Sequence, residues 1–128
     1  MTEPDSEQRS RGKARMKQVY GWDIDQVEGP FVEATVDHLF GEVWEEGTLS
    51  VRDRRLMLIG MCAGSGLEDV AGLQLDAAVR LGELDADDLR TIVVFLAHYA
   101  GWPRAARLNT EVEKIIARIP TADDPDLP

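Results

Sequence analysis

The side chains in this 128-residue chain that could do chemistry do not form the usual catalytic patterns. His38 and His98 lie on different predicted helices, so they cannot form a histidine metal pair at helical spacing. Ser65 stands between two glycines, without the lysine of a phosphate-binding loop or the context of a nucleophile elbow. Cys62 is the only cysteine, which excludes a Cys-x-x-Cys redox pair and a thiolate metal cluster within one subunit. We therefore expect no metal and no cofactor.

Two polar side chains, Gln74 and His98, lie on otherwise apolar faces and are the candidate catalytic residues. Gln74 could line a pocket, because a buried amide must find hydrogen-bond partners. A glutamine tied to neighbouring backbone or to a subunit contact is at least as good an interpretation. His98 could act as a general acid or base near neutral pH, although a lone histidine is more often structural. Beside it, Tyr99 and Trp102 suit either a pocket wall or an interface.

Arg52, Arg54 and Arg55 form a basic cluster in a strongly acidic protein. If the cluster opens on a cleft, it would attract a small anionic molecule. The alternative is ion pairing with Asp53 and other nearby acids, and we favour that interpretation because surface pairs are common. Trp44 closes a predicted helix with a large apolar side chain and could cover a cavity of the bundle.

Composition and charge narrow the function classes. Lys and Arg total 14 against 24 Asp and Glu, and the net charge of -10 would repel both nucleic acid and an anionic membrane surface. The first residues are polar and lack the apolar stretch of a secretory signal, and the longest apolar stretches are too short to span a membrane. With one cysteine, the sequence favours a reducing compartment, and we predict a cytoplasmic protein.

The elements that position these residues are predicted to be helices, because apolar residues recur at spacings of three and four. We predict an all-α bundle of about six helices, with flexible tails at residues 1–10 and 120–128 and a single domain over 11–119. The predicted helices cover residues 13–20, 30–44, a stretch opened by Ser50 and ended by Gly64, 67–81, 89–100 and 103–118. Asp85 and Asp88 have the spacing of a capping box before the fifth helix.

The fifth predicted helix is apolar on more than one face. Ile92, Val93 and Leu96 can face the core of the subunit, while Val94 and Phe95 point elsewhere. A helix that is apolar all round must be covered on all sides, and another copy of the chain is the readiest cover. We therefore predict a homo-oligomer; the alternative is a central helix of a monomeric bundle.

Four segments together resemble the carboxymuconolactone decarboxylase family. They are FGEVW at 40–44, LSVRDRRL at 49–56, AAVRLG at 77–82 and YAGWPRA at 99–105. They follow the family order across roughly residues 11–119. The resemblance implies an alkylhydroperoxidase D-like helical fold that assembles as a homotrimer or homohexamer. It also implies one of two chemistries, a cofactor-free decarboxylation of 4-carboxymuconolactone or a thiol peroxidation.

The thiol branch of the family uses a Cys-x-x-Cys pair, a histidine four residues later and a glutamate one helix earlier. An ungapped match to the family pattern places Leu67, Val70, Gln74 and Arg55 at those positions here. Thiol peroxidation needs a thiolate and a resolving thiol, and Cys62 matches neither position. We predict no peroxidase activity.

The decarboxylase branch needs no cysteine, but its members usually carry histidine where this chain has Gln74. A proton would then have to come from His98, Tyr99 or water. We expect such an enzyme to act on a small anionic lactone or acid, with a carboxylate held by Arg55. The apolar wall around the substrate would consist of Trp44, Leu67, Val70 and Phe95.

The competing hypothesis is a non-catalytic, oligomeric binding or scaffold member of the same family. Loss of the usual histidine favours it. An enclosed pocket with Gln74 and an arginine pointing inward would support the enzyme, whereas a pocket filled by Met57, Met61 or Trp44 would support the second hypothesis.

Overall fold

The computed structural model describes residues 4–120, which form helices and connecting turns without a β-strand in that range. The all-α prediction is confirmed. The helices are α1 (Glu7–Tyr20), α2 (Pro30–Ala34), a π-helical segment (Thr35–Phe40), a 3-10 turn (Val43–Glu45), α3 (Val51–Gly64), α4 (Glu68–Arg80), α5 (Ala86–Ala100) and α6 (Trp102–Ala117). The chain divides into two compact units, Met1–Arg54 and Arg55–Pro128.

In the first unit, α1 begins earlier than predicted. Ser6 caps it, since its Oγ accepts a hydrogen bond from the backbone N–H of Arg9 at 3.1 Å, and residues 7–10 of the predicted tail are therefore helical. Gly21 ends the helix in the left-handed conformation, with φ 79°. Of the predicted C-terminal tail, residues 121–128 lie outside the described part, and the single domain over 11–119 stays a prediction.

The predicted second helix is interrupted by the π-helical segment, in which Gly41 N donates to Val36 O five residues back, at 3.0 Å. Gly12 of α1 packs directly on this segment, and a Cβ at Gly12 would lie 1.9 Å from Val36 O. The wider winding changes which side chains are buried: Val36 and Phe40 are inside, whereas Phe31 is 83% exposed. The single helix predicted over residues 30–44 was therefore wrong in its winding, because a 3.6-residue period does not hold through a π turn.

Aromatic ring contacts and the Arg9–Asp37 ion pair contribute to the packing of the first unit. Phe40 stacks on Trp44 with ring centroids 5.4 Å apart, and Tyr20 meets Phe40 edge-on at 5.8 Å. The Arg9 guanidinium binds both carboxylate oxygens of Asp37 at 2.9 Å. The hydrogen bonds from Arg9 hold the pKa of the Asp37 carboxyl below its usual range. This two-pronged ion pair therefore stabilises the contact of α1 with the π-helical segment at neutral pH.

The second unit has an apolar core built by α4, α5, α6 and the part of α3 that follows Arg54. The most deeply buried members of this core are Ile59, Ala71, Leu75, Ala78, Leu89, Leu108 and Val112. The predicted capping box of α5 is present: Asp85 accepts from Asp88 N at 2.8 Å, and Asp88 accepts from Asp85 N at 3.0 Å. The predicted α5, opened by these caps, is confirmed.

Helix α5 has the two apolar faces that the sequence predicts. Val93 is buried, and Ile92 and Leu96 pack against the core. On the other side, Val94 is 60% and Phe95 61% exposed. This exposed face continues in Tyr99 of α5 and Trp102 at the start of α6, so a contiguous apolar strip lies on the surface of the second unit.

Candidate functional site

The most unusual polar group in the second unit is Arg55, which has no exposed surface. Its Nε donates to Glu83 Oε1 at 2.7 Å and its Nη2 donates to Glu83 Oε2 at 3.2 Å. This is a two-pronged arginine–carboxylate pair, the geometry that compensates a buried guanidinium best. Helix α3 supplies the arginine, and the turn after α4 supplies the carboxylate.

Gln74 completes this cluster from the middle of α4. Its side chain is buried, and its Oε1 accepts a hydrogen bond from Arg55 Nη1 at 3.0 Å. The backbone oxygen of Gln74 lies 3.5 Å from the same nitrogen. Gln74 is thus held by the Arg55 side chain, a partner different from the neighbouring backbone or subunit contact that the sequence suggested. Arg55 and Gln74 stand at the positions that the family pattern gives to glutamate and histidine, and the structure brings them into contact.

Glu83 is the member that sequence reasoning missed. It follows Gly82, the left-handed glycine after α4 with φ 72°, and its side chain is 17% exposed. Two features of the sequence could have indicated it. One is an acidic residue directly after a turn glycine. The other is Arg55 itself, because an arginine on a predicted apolar helix needs a carboxylate partner when it is buried. Arg55, Gln74 and Glu83 are called the buried cluster below.

The buried cluster is poorly equipped for proton transfer. The guanidinium stays protonated in proteins, and the amide of Gln74 has no proton that titrates near neutral pH. Arg55 also has no exposed donor for a ligand, since Glu83 already occupies two of its nitrogens. The role of Arg55 as a receptor for a substrate carboxylate stays a prediction, and it would require Glu83 to move away.

Two other predicted wall residues of the second unit are far more exposed than the buried cluster. Leu67, at the N-terminal cap of α4, is 44% exposed, and Val70 is 42% exposed. Trp44 lies in the first unit, buried and stacked on Phe40. Met57 and Met61, which could have filled a pocket, are both more than half exposed.

His98 and Phe95 do come together, along the outer face of α5. They line an open groove of about 640 Å³ with Asp87, Arg90, Thr91 and Val94. His98 Nδ1 lies 2.7 Å from Val94 O, where it can donate a hydrogen bond and leave Nε2 toward solvent. Arg90 in turn is paired with Glu113 on α6, at 3.1 and 3.2 Å.

Tyr99 is next to this groove, but it is 80% exposed and leans on Phe95 with ring centroids 5.1 Å apart. The Trp102 ring meets the His98 ring edge-on at 5.7 Å. The groove therefore combines one imidazole, one arginine and the carboxylate of Asp87 with apolar walls.

The single cysteine lies in the core of the second unit. Burial raises the pKa of the Cys62 thiol, and Asp69 adds to the shift. A buried thiol with a raised pKa is a weak nucleophile. Within residues 4–120 no group of three or more histidine, cysteine or acidic side chains is arranged to hold a metal ion, and no helix there is long and apolar enough to cross a membrane.

The three arginines at the start of α3 have different surroundings. Arg55 pairs with Glu83 rather than Asp53, and Arg54 donates to the backbone oxygens of Val43, Leu49 and Glu46. Arg52 is exposed and makes no hydrogen bond or ion pair within the described residues. The interpretation that acids nearby neutralise the whole cluster was therefore wrong for Arg52 and Arg54.

A comparison with protein families supplies the identification. The model of the carboxymuconolactone decarboxylase family matches residues 29–113. The chain belongs to this family. The resemblance read from the four sequence segments is thereby confirmed, and the chain is a member without the Cys-x-x-Cys pair. No curated protein and no solved structure matches the chain.

Proposed function

We propose that this protein is a non-catalytic member of the carboxymuconolactone decarboxylase family that serves as an oligomeric binding or scaffold protein. The observation that carries the proposal is the buried cluster, in which Glu83 and Gln74 already satisfy the Arg55 guanidinium. The family pattern has a glutamate and a histidine at the two positions where this chain has Arg55 and Gln74. The fold is retained, and the proton-transfer groups at that place are replaced.

Energetics supports a structural role for Arg55. A substrate carboxylate could reach it only by displacing Glu83 from a pair whose arginine is fully buried. Separating a buried pair typically costs about 3–5 kcal/mol when one partner is removed. The incoming group would have to offset that cost before any gain from binding.

Self-association accounts for the exposed strip on α5 and α6. Val94, Phe95, Tyr99 and Trp102 are each at least 60% exposed in a single chain. Aromatic side chains of this kind are enriched at the centres of protein interfaces. We propose that a second copy of the chain covers this strip, within a homotrimer or homohexamer as the resemblance implies.

Sedimentation analysis of the purified protein tests the assembly. We expect the wild type to be an oligomer and Phe95→Glu to dissociate, because a carboxylate would be buried in the interface. Phe31→Glu is the matched control, since Phe31 is also exposed but lies in α2 of the first unit. A monomeric wild type, or equal dissociation by both variants, would overturn the proposed interface.

The second candidate is a cofactor-free decarboxylase or related proton-transfer enzyme acting on a small anionic lactone or acid. The family supports it, and so does the α5 groove, where His98 and Arg90 lie beside Phe95. In such a reaction the bond from carbon to the carboxylate breaks, carbon dioxide leaves, and the electron pair remains on carbon. His98 or a water would then deliver the proton to that carbon.

The two candidates are separated by following the absorbance of 4-carboxymuconolactone with the purified, folded oligomer. The first proposal expects no turnover. Turnover that His98→Gln abolishes would establish the second candidate. Turnover that survives His98→Gln but is lost in Gln74→Leu would place the chemistry at the buried cluster and contradict the first proposal.

A further inference from the structure

We infer that a cleft in the first unit binds a small organic carboxylate through Arg15, Arg52 and Arg54. The cleft lies between α1 and the segment that leads from the 3-10 turn into α3, and its volume is about 460 Å³. That volume lies within the range of small-molecule sites. This inference goes beyond the proposed function, because it concerns neither the buried cluster nor the α5 strip.

Charge is the first argument. Three arginines line the cleft, and Glu45 is the one acidic residue among its lining side chains. Glu45 is itself shared, at 3.6 Å from Arg11 and 3.8 Å from Arg15, which are distances beyond a good hydrogen bond. The chain as a whole has a net charge of -10, so this positively charged cleft is a local site that attracts an anion.

The arginines differ in how firmly they are held, and together they form a usable receptor. Arg54 is fixed by backbone carbonyls, which leave its positive charge without a carboxylate. Arg15 donates to the side-chain oxygen of Gln18 at 3.1 Å. Arg52 has no partner within the described residues, so its planar fork of donors is available to a carboxylate.

The remaining lining favours an organic anion over an inorganic ion. Trp44, Leu49 and Val51 add an apolar part, mainly through the exposed side chain of Leu49, to a lining that is otherwise mostly polar. Ser50 Oγ accepts from Asp53 N at 3.0 Å, so its hydroxyl hydrogen is directed elsewhere and can donate to a ligand. A mono- or dicarboxylate with a ring-sized body satisfies both parts of the cleft.

Calorimetric titration of the full chain with phthalate, at low salt, tests the inference. We expect the wild type to bind and Arg52→Gln to bind about tenfold more weakly or worse, because a charge-assisted hydrogen bond is lost. Arg107→Gln is the matched control: it removes the same charge from an exposed arginine on α6. Arg15→Gln should weaken binding as Arg52→Gln does.

Three results would overturn the assignment. The wild type could fail to bind phthalate, or Arg107→Gln could weaken binding as much as Arg52→Gln, which would indicate general charge attraction. Inorganic phosphate could also bind as tightly as phthalate, which would show that the apolar part of the lining contributes nothing.

Discussion

Arg52 and Arg55 stand three residues apart at the start of α3, and their surroundings are opposite. Arg55 has no exposed surface and is bound by Glu83 and Gln74. Arg52 is exposed, lines a cleft and has no partner within the described residues. Identical side chains on one helix thus have different roles, because a buried charge must be paired whereas an exposed one is free to take a ligand.

Under the proposed function, the comparison also describes how a family member can keep a helical fold after the acid–base groups of the family pattern are replaced. At the buried position the polar groups satisfy one another, and we propose that they contribute to stability. At the exposed position nothing in the described chain competes for the guanidinium.

The largest effect is expected from Glu83→Gln, which leaves the buried Arg55 charge without its carboxylate. We expect the free energy of unfolding to fall by about 3–5 kcal/mol, measured by urea denaturation at fixed protein concentration. Glu113→Gln breaks the exposed pair with Arg90 and should change the midpoint little. Equal losses in the two variants would mean that burial does not distinguish the pairs.

A smaller loss is expected for Gln74→Leu. Arg55 would keep both hydrogen bonds to Glu83 and lose the side-chain acceptor at Nη1. We expect a cost of about 1–3 kcal/mol in the same urea measurement, the usual cost of a buried donor left unsatisfied. A variant as stable as the wild type would show that the amide is not needed by the cluster.

The smallest effect on stability is expected for the Arg9–Asp37 ion pair, whose side chains are 27% and 30% exposed. Because the pKa of Asp37 is lowered in the folded protein, its stabilisation is present above about pH 4 and is lost as the pH falls through the folded pKa. Asp37→Asn should therefore lower the denaturation midpoint slightly at pH 7, and the difference from wild type should shrink at acidic pH. A difference that is the same at all pH values would contradict the ion-pair account.

Features that depend on neighbouring residues were predictable from the sequence. The Asp85–Asp88 capping box and the two faces of α5 follow from spacings of three and four, and the structure has both. The family pattern placed Arg55 and Gln74 in one site without predicting their contact, which the structure shows.

Features that depend on residues distant in the chain were not predictable. Glu83 is 28 residues from Arg55, and nothing local marks it as a partner. The π-helical segment packs against Gly12, a contact between elements that no periodicity within either one reveals. The cleft at Arg52 likewise needs Arg15 from α1, which the sequence separates from the arginines of α3.

The most direct test of the contrast is the rate at which the arginine Nε–H protons exchange with water, followed by nuclear magnetic resonance. Arg52→Gln and Glu83→Gln would assign and perturb the two signals of interest. We predict that the Arg55 Nε–H is strongly protected, that Glu83→Gln removes the protection, and that the Arg52 Nε–H exchanges freely. An Arg55 proton that exchanges as fast as that of Arg52 in the folded wild type would contradict the account, because its guanidinium would then be open to solvent and to a substrate.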